Sequence, residues 1–529
     1  MTVFSNLFIM IFSRLPLLAY LLLVLTSHAQ TYFIKSYGAT GDGKTLVTSA
    51  LQRAVDACAQ AGGGTVEVPA GTYVIGTVFL KSNVELHLSA GAVLKGSPSL
   101  ADYHAYTMPV YGQNYYGMLF TENADNVSIT GQGTVDGNNP VFYDFTQAKA
   151  LDTATTRYTR QRNNYRHVAS GIGDGPVVPK DRPRQMVVFS ECQHVRVTGV
   201  SLINSPFWTL HFADCTGVMV NNMRLYSGIL VPNADGVDFT DCQNVTVSDC
   251  DIQAGDDALV VGGYNHHFEI PGFHNRRRIS ENITITNCNL QSASSGIRIG
   301  YLDQNTVRNV TVSNCNITNS TRGINISLRD EGSLENLIFS NIRIETKLRT
   351  GDWWGNGEPI HLSAIRGNAD KSVKLGQIKN VQFNDITCRG ENGILVYGSD
   401  ESTIQDVSFR NVRFDFVDSP LNDVAGGNVD LRGNLDPKLG LFARDIPGLL
   451  AEHVQGLRIE NFTLNWVNTQ AAFLTNGIEI KHFKDVFISD FQGTSAPGSA
   501  KGHPVVLTDG VGATLPNMAK SIVRRTGVR

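Results

Sequence analysis

The sequence has few charged residues, and no long hydrophobic run follows residue 29. Charged residues make up 17% of the chain, and 44 basic against 48 acidic side chains give a formal net charge of −4. This composition lacks the basic excess that nucleic-acid-binding proteins use to hold phosphates, so we expect no nucleic acid partner. No segment after residue 29 is apolar for long enough to cross a bilayer, so we expect no membrane span.

The first 29 residues differ from the rest of the chain. Arg14 precedes an apolar run over residues 15–25, and Ser27-His28-Ala29 offers a small-residue cleavage site before Gln30. This pattern predicts a signal peptide over residues 1–29, and no Cys follows the site to carry a lipid anchor. We therefore expect residues 30–529 to form a secreted or periplasmic protein, active as a monomer.

Eight cysteines in an exported chain suggest disulfide bonds. Their phase favours another interpretation, because Cys192, Cys215 and Cys242 recur at one turn and Cys250, Cys288 and Cys315 at another. Equivalent positions on stacked repeats predict two ladders of small buried thiols. Disulfides stay open as the alternative, since stacked positions also satisfy the Cα spacing of a disulfide.

The stretch over residues 30–96 indicates a helical cap followed by strands. Val47, Leu51, Val55 and Cys58 recur at helical spacing, and the glycine triplet over residues 62–64 ends the pattern. An alternating strand pattern follows. A short helix at the start of a solenoid covers the open end of its core.

From about residue 125 the chain repeats a short pattern, most often at intervals of 23–27 residues. Each repeat contains an apolar residue followed by a polar pair at a turn. The apolar residues are Ile129, Val197, Val220, Val247, Ile285, Val312 and Phe339, with weaker matches at Phe383, Phe409, Ile459 and Ile488. Short strands at a period in the twenties, without intervening helices, predict an all-β fold: a single-domain right-handed parallel β-helix.

Three carboxylates lie within one part of this repeat. Asp235 and Asp257 are 22 residues apart, about one coil, and Asp256 directly precedes Asp257. Strands on neighbouring coils are roughly 5 Å apart, so we expect these side chains to lie close together. Such grouping splits the pKa values of carboxyl groups, which suits acid/base catalysis. Solvated turn aspartates are the alternative, and the shared face with Asn233 favours catalysis.

A second register aligns these aspartates with later coils. Strand alternation predicts that the core receives Val237, Phe239, Leu259, Val261, Ile297, Ile299, Ile324 and Ile326. The outward positions of the same strands hold Asp238, Val260, Arg298 and Asn325. The turn positions before the strands hold Asp235, Asp257, Ser295 and Arg322. The four coils are thus predicted to form one polar strip.

Long insertions flank this strip at residues 138–180, 262–281 and 347–358. They carry many arginines and aromatic residues, including Arg166 and Trp353-Trp354. Such walls around acidic residues suit a saccharide-binding cleft, particularly for an acidic sugar. Ordinary solvated loops are the alternative.

The motifs together resemble the polygalacturonase family, glycoside hydrolase family 28. The matching segments are Asn233-Ala234-Asp235, Gly255-Asp256-Asp257-Ala258, Arg182-Pro183-Arg184 and Asn204-Ser205-Pro206-Phe207-Trp208. The resemblance implies hydrolysis of an α-linked pectic chain with inversion, without metal or cofactor. It implies Asp256 as the general acid, with Asp235 and Asp257 holding and activating water. Inverting pairs usually stand roughly 6.5–9.5 Å apart, which diverging side chains on adjacent coils could reach.

Two departures from the family pattern concern substrate binding. Ser294-Ser295-Gly296 stands where the family has Gly-His-Gly, and Asn325-Ile326-Ser327 stands where it has Arg-Ile-Lys. The histidine and the two cations that usually hold a galacturonate carboxylate are therefore missing. We expect Arg298 to replace part of that charge, with Arg322 and Arg329 as weaker candidates.

Asn233, Asn325 and Trp353 complete the predicted binding residues. For Trp353-Trp354, a sugar-stacking platform and a loop anchor are both open. Two other functions also stay open. A polysaccharide lyase on this scaffold would need a base and usually Ca²⁺, and a non-catalytic carbohydrate-binding β-helix would explain the missing cations but not the three retained acids. The histidines offer no convincing ligand set, so no metal site is expected.

Overall fold

The computed structural model describes residues 30–108, 112–264 and 279–529, and these residues form a parallel β-helix. The predicted signal peptide and most of the 262–281 insertion lie outside these residues. Three stacks of parallel strands run along the solenoid. None of the helices in the described ranges has the length and hydrophobicity that a bilayer span requires.

The first stack contains the register predicted from residue 129 onward. Its strands are Gln30–Phe33, Gly64–Val68, Val84–Leu88, Ser128–Gly131, Gln193–Thr198, Thr216–Asn221, Gln243–Ser248, Ser280–Thr286, Val307–Ser313, Leu334–Thr346, Ile378–Gly390, Ile404–Val417 and Arg458–Val467. Ile129 pairs with Val197, and the register continues through every predicted position to the pairing of Ile459 with Ile488.

The second stack is formed by shorter strands. It ends where the strands of the C-terminal part become long enough to belong to two stacks at once. Its strands are Asp42–Leu46, Gly71–Ile75, Ala92–Gly96, Thr134–Asp136, Ser201–Ile203, Arg224–Tyr226, Asp251–Ala254, Asn289–Ser292 and Asn316–Ser320. Asn316 then pairs with Arg343 in the long strand Leu334–Thr346, which joins the two stacks.

The third stack carries the aspartates and is called the site sheet. Its strands are Val78–Leu80, Leu119–Glu122, Val187–Ser190, Leu210–Ala213, Val237–Thr240, Leu259–Gly262, Ser295–Tyr301, Arg322–Leu328, Ile360–Ala364, Ile394–Tyr397, Leu449–Gln455, Ile478–Gln492, Val505–Thr514 and Val523–Val528. The predicted pairing of Asp238 with Val260, Arg298 and Asn325 is confirmed in order.

Side chains that alternate inward along these strands build one continuous core. All eight residues predicted to face inward from the site sheet are fully buried, from Val237 to Ile326. The stacked rings of Phe189, Phe212 and Phe239 continue this ladder, with centroids 5.3 and 5.2 Å apart. This spacing follows the distance between paired strands, so identical residue types on successive coils pack directly on one another.

The thiol ladders and the asparagine ladder occupy the turns. All eight cysteines are free and buried, and the sulfur atoms of both ladders are hydrogen-bonded to neighbouring backbone carbonyls, as in Cys215. Asn282, Asn309 and Asn336 have positive φ, which asparagine tolerates, and each side chain donates to the asparagine one coil earlier. These asparagine side chains thus form a hydrogen-bonded ladder along the turns.

A helix over Thr48–Gln60 covers the N-terminal end of the solenoid, as predicted. Its buried face contains Ala50, Leu51, Ala54, Val55 and Cys58. Those side chains join the main core, so the helix closes an otherwise open hydrophobic end.

Outside the three stacks, the chain forms small hairpins and single helical turns. The antiparallel pairs are Ala105–Met108 with Gly112–Tyr115, Tyr143–Ala148 with Val177–Pro179, and Asn428–Asp430 with Leu441–Ala443. The short α-helices are Thr153–Thr156, Asn422–Ala425 and Pro437–Gly440. The 3₁₀ turns are Ile34–Tyr37, Leu100–Asp102, Asn139–Val141, Arg162–Asn164 and Lys520–Ile522. The insertion over residues 418–448 was not predicted, and it forms part of the site.

Candidate active site

The three predicted catalytic aspartates meet at the start of two neighbouring strands of the site sheet. Asp235 precedes Val237–Thr240, and Asp256 and Asp257 precede Leu259–Gly262. The N–H of Gly236 donates to the carbonyl oxygen of Asp257 at 2.9 Å, which fixes the two turns side by side. At least one carboxylate oxygen of each aspartate lies within 4.8 Å of the others. The predicted juxtaposition is therefore present.

Gly255 makes this turn possible. A Cβ atom at this position would lie 1.9 Å from the carbonyl oxygen of Val231, a distance that no side chain can occupy. Since only glycine lets the chain pass this carbonyl, Gly255 brings Asp256 and Asp257 directly onto the turn that carries Asp235.

Asp256 is held at the edge of the cleft by the loop before Asp235. The backbone N–H of Asn233 donates to Asp256 Oδ2 at 3.3 Å, and Asn233 Oδ1 accepts from Arg182 at 3.1 Å. Burial, followed by the charge of Asp257, raises the pKa of Asp256 to about 7. A carboxyl group with this pKa keeps its proton near neutral pH and can donate it.

Asp238 is a fourth carboxyl group in the cluster. Strand alternation predicts that it faces outward, and no role is assigned to it from the sequence. It is buried, and neither of its oxygens has a hydrogen-bond partner among the described residues. Burial, with Arg298 acting in the opposite direction, raises the pKa of Asp238 well above its usual value. Burial and the Asp238 carboxylate raise the pKa of Asp235 in the same way. The cluster therefore binds protons tightly.

Arg298 contacts an aspartate rather than open space. Its Nε lies 2.5 Å from Asp257 Oδ2, and its Nη1 donates to Tyr264 Oη at 2.9 Å. Asp257 Oδ1 accepts from the N–H of Ser295 at 2.8 Å. Arg298 therefore lines the cleft with its guanidinium group paired to Asp257, which lies one strand away in the predicted register.

Three other predicted binding residues line the cleft beside the aspartates: Asn233, Arg322 and Asn325. Arg322 is already engaged, since it donates to the carbonyl oxygen of Asp430 at 2.6 Å and lies 3.6 Å from Glu358 Oε2. Arg322 therefore fastens the cleft to the insertion over residues 418–448.

The prediction that Trp353 contacts substrate is corrected. Trp353 is 2% exposed, and its indole N–H donates to the carbonyl oxygen of Asp174 at 3.0 Å, so it anchors the loop. Its neighbour Trp354 is 37% exposed and lines the cleft. Arg432 stacks over the Trp354 ring at 4.7 Å. The loop-anchor alternative therefore applies to Trp353, and Trp354 forms part of the cleft wall.

The insertion arginines predicted at residues 138–180 mostly support the loops. Arg166 is fully buried and donates to the carbonyl oxygens of Trp353 and Gly355. Arg160 pairs with Asp445 at 2.8 Å. The insertions over residues 138–180, 347–358 and 418–448 thus brace one another around one end of the site.

The cleft has a volume of about 140 Å³. Its lining residues are Trp208, Asn233, Asp235, Asp256, Asp257, Ser294, Arg298, Tyr301, Arg322, Asn325, Ser327, Arg329, Trp354 and Arg432. Sequence reasoning missed Tyr301 and Arg432 as site residues. The outward-facing end of strand Ser295–Tyr301 could have indicated Tyr301, whereas no local signal places Arg432 here.

Two groups among the described residues bring three possible metal ligands together. One is the aspartate cluster, and the other is Glu452, His453 and His482 at a distant turn. The rings of His453 and His482 are stacked 4.8 Å apart at 23°, so their in-plane lone pairs run nearly parallel and do not converge on one ion. At the aspartates, the Arg298 guanidinium group already supplies a positive charge 2.5 Å from Asp257.

Comparisons with known proteins agree with this arrangement. Residues 170–421 match the family model described as glycosyl hydrolases family 28. An exo-poly-alpha-D-galacturonosidase of Dickeya chrysanthemi is 29% identical over 250 residues, 43% of this chain and 41% of that protein. A probable polygalacturonase of Vitis vinifera is 25% identical over 249 residues, 45% of each chain. The chain thus spans about half the length of these curated relatives.

Solved structures share the fold over a larger part of the chain. An exopolygalacturonase of Thermotoga maritima has a TM-score of 0.59 at 21% identity, covering 83% of this chain and 92% of that one. A family 28 exopolygalacturonase of Yersinia enterocolitica has a TM-score of 0.62 at 19% identity, covering 87% and 78%. The right-handed parallel β-helix predicted from the repeat is therefore confirmed.

Proposed function

The chain belongs, through residues 170–421, to glycosyl hydrolases family 28, and we propose that it is an exported enzyme that hydrolyses α-linked pectic poly- or oligosaccharides. Galacturonan and rhamnogalacturonan are the two substrate types considered. The single observation that carries this proposal is the aspartate cluster in a cleft, with one carboxyl group of pKa about 7 within 4.8 Å of two others.

In the proposed reaction, Asp256 gives its proton to the glycosidic oxygen as the bond to the anomeric carbon breaks. Water attacks the anomeric carbon, and its proton passes to Asp257. Arg298 pairs with Asp257 and holds this carboxylate in place beside Asp256. Asp235 holds the water between them. The pKa of Asp256, raised to about 7 by burial, matches the role of the acid.

Inversion is proposed from the family and not from carboxylate separation. The closest oxygens of the three aspartates are within 4.8 Å, below the usual range of roughly 6.5–9.5 Å for inverting pairs and near the roughly 5–5.5 Å of retaining pairs. Proton NMR of the first product anomer separates the two outcomes. The β-anomer of a galacturonate product indicates inversion of the α-linkage, and the α-anomer indicates retention.

The surroundings of the cleft favour attack at a chain end. On the N-terminal side, the outward residues Phe120 and Val188 of the site sheet are buried, and Tyr116 covers Phe120 with ring centroids 4.8 Å apart. On the C-terminal side, the outward residues His361 and Leu395 are buried. A polymer lying along the solenoid would meet covered surface on both sides, so we propose that a chain end enters the cleft.

The proposal is tested by incubating the purified mature chain with homogalacturonan, rhamnogalacturonan and their oligosaccharides. New reducing ends with saturated products are expected on at least one substrate, together with early release of short products. Unsaturated products, which absorb ultraviolet light, would indicate a lyase. Binding without any new reducing end would indicate a carbohydrate-binding protein.

A further inference from the structure

Asp238 is a buried carboxyl group that the proposed reaction does not use. It is 1% exposed and lies three residues after Asp235, on the strand that this aspartate precedes. In the same cluster, Asp257 is paired with Arg298 at 2.5 Å, and Asp256 keeps its proton near neutral pH. Asp235 and Asp238 remain. Two ionised carboxylates side by side and away from water would repel each other strongly, so this pair favours holding a proton.

The oxygen atoms of this pair are buried without hydrogen-bond donors. Among the described residues, Asp235 Oδ1 and both oxygens of Asp238 have no hydrogen-bond partner. After burial, the charge of Asp238 is the largest influence that raises the pKa of Asp235, so the two groups are close neighbours. A buried acceptor without a donor carries a desolvation cost. A proton on one carboxyl group makes that group a donor to the other and lowers this cost for both.

The strands on either side of Asp238 present neutral groups to it. On one side it pairs in register with His211, whose pKa burial lowers to about 3, so this imidazole is neutral. On the other side it pairs with Val260. Arg298 lies one strand further and is engaged by Asp257. In the described ranges, the titratable and charged groups around Asp238 are His211, Asp235, Asp256, Asp257, Tyr264 and Arg298. Neutralisation of the pair therefore depends on a proton that the pair itself holds.

Access to the cleft distinguishes the two carboxyl groups. Asp235 lines the cleft, where water and substrate can reach its carboxylate, whereas Asp238 is not among the described lining residues. The ionised form of a carboxyl group is favoured where water can solvate it, and the neutral form is favoured where water cannot. These positions favour a proton on Asp238 and a negative charge on Asp235.

We propose that Asp238 stays protonated in the folded protein and donates a hydrogen bond to Asp235, as a positioning residue for this cleft-facing aspartate. The neutral Asp238 keeps Asp235 ionised, and an ionised Asp235 can accept a hydrogen bond from the water that it holds in the proposed reaction. The role of Asp235 comes from the proposed function, on which this assignment rests. The protonation of Asp238, by contrast, can be measured without any substrate.

The pH dependence of stability in Asp238→Asn tests the proton on Asp238. The folded protein holds a proton at this position that the unfolded chain releases above about pH 3.8, and asparagine holds none. The stabilisation from this proton is complete below pH 3.8 and is lost as the pH rises toward the raised pKa of the folded protein. In urea unfolding from pH 5 to pH 7, Asp238→Asn should therefore gain stability relative to wild type. The ratio of their unfolding equilibrium constants should change about tenfold per pH unit, as one bound proton requires.

Asp249→Asn is the matched control for this slope. Asp249 is an exposed turn residue with positive φ, which asparagine tolerates, and its Oδ1 accepts from Asn287 Nδ2 at 3.3 Å. Its ratio to wild type should not change with pH. A ratio for Asp238→Asn that is equally independent of pH would overturn the proposal, because Asp238 would then hold no proton that the unfolded chain releases.

The pH dependence of kcat/KM tests the hydrogen bond to Asp235. Asparagine at position 238 keeps a donor, whereas Asp238→Leu removes the donor at a similar side-chain size. A hydrogen bond to a charged group changes the pKa of that group by about one to two units. The acidic limb of the profile should therefore move upward by about one to two pH units in Asp238→Leu and stay in place in Asp238→Asn. A loss of packing alone would lower kcat/KM at every pH without moving the limb.

Two kinetic results would contradict the proposal. An acidic limb that moves to lower pH in Asp238→Asn would mean that Asp238 is ionised in the wild-type protein, and an unmoved limb in folded Asp238→Leu would exclude the hydrogen bond. If Asp238→Leu does not fold, Asp238→Asn decides through its unfolding slope and its acidic limb. If the wild-type protein cleaves no pectic substrate, the proposed function fails, and the unfolding slope decides the protonation of Asp238 separately.

Discussion

Replacing Asp256 with asparagine separates catalysis from stability. The amide keeps the size of the side chain but cannot donate a carboxylic proton to the leaving oxygen. General acid catalysis contributes about 10²–10⁴-fold to rate, so we expect kcat to fall by that range while KM changes little. On a substrate with an activated aryl leaving group, which needs no proton, most of the rate should return.

The same substitution should stabilise the protein above neutral pH. Burial raises the pKa of Asp256 from 3.8 to about 7, so the folded protein binds this proton more tightly than the unfolded chain. The stabilisation is complete below pH 3.8 and is lost as the pH rises through 7. The full difference corresponds to roughly 4 kcal/mol, and we expect about 2 kcal/mol because the side chain is partly exposed. Asparagine does not ionise and avoids this loss.

Urea unfolding of both proteins at pH 4 and pH 8 measures the effect. Asp256→Asn should be more stable than wild type at pH 8 and similar to it at pH 4. Asp249→Asn is the matched control: it lies in a left-handed turn position that asparagine also favours, outside the cleft, and should change neither rate nor stability. Lower stability of Asp256→Asn at pH 8 would contradict the raised pKa of Asp256, and an unchanged kcat would contradict its role as the general acid.

Four further predictions follow from the site. Arg298→Gln should lower kcat on esterified and free substrates equally, measured by initial rates, because its partner is Asp257; a loss confined to acidic substrates would contradict this. Trp353→Ala should cost about 3–5 kcal/mol in unfolding free energy because it leaves a buried cavity, whereas Trp354→Ala should mainly raise KM. Chelation with EDTA should leave activity unchanged, and activity restored only by Ca²⁺ would show that the aspartates hold a metal. On a polymer, short products should appear before viscosity falls, and an early loss of viscosity would exclude attack at chain ends.

The register of the solenoid was predictable because one rule governs every coil. A side chain that alternates inward must be apolar, so Val247, Ile285 and Val312 mark the same position without knowledge of the loops between them. The same alternation placed Arg298 beside Val260 and Asn325. It also brought Asp235 and Asp257 to neighbouring turns. The register of the coils and the positions of these residues depend only on short-range strand geometry.

The partners of these residues could not be predicted in the same way. Whether Arg298 turns toward Asp257 or toward a ligand depends on rotamers, and the pattern of the strand is the same for both. Arg432 reaches the cleft from an insertion that begins about a hundred residues after the cleft strand Arg322–Leu328. Trp353 and Trp354 are adjacent, and only the packing of the 138–180 insertion decides which of them is buried.

Cleavage in ¹⁸O-labelled water shows whether the chain hydrolyses pectic oligosaccharides with Asp256 as the general acid. The wild-type chain and Asp256→Asn are incubated with pectic oligosaccharides, and the products are identified by mass spectrometry. We expect the wild-type protein to form saturated fragments that carry one ¹⁸O atom at the new reducing end, and we expect their formation to fall at least a hundredfold in Asp256→Asn. Unsaturated fragments without ¹⁸O, or equal product formation by the two proteins, would contradict it.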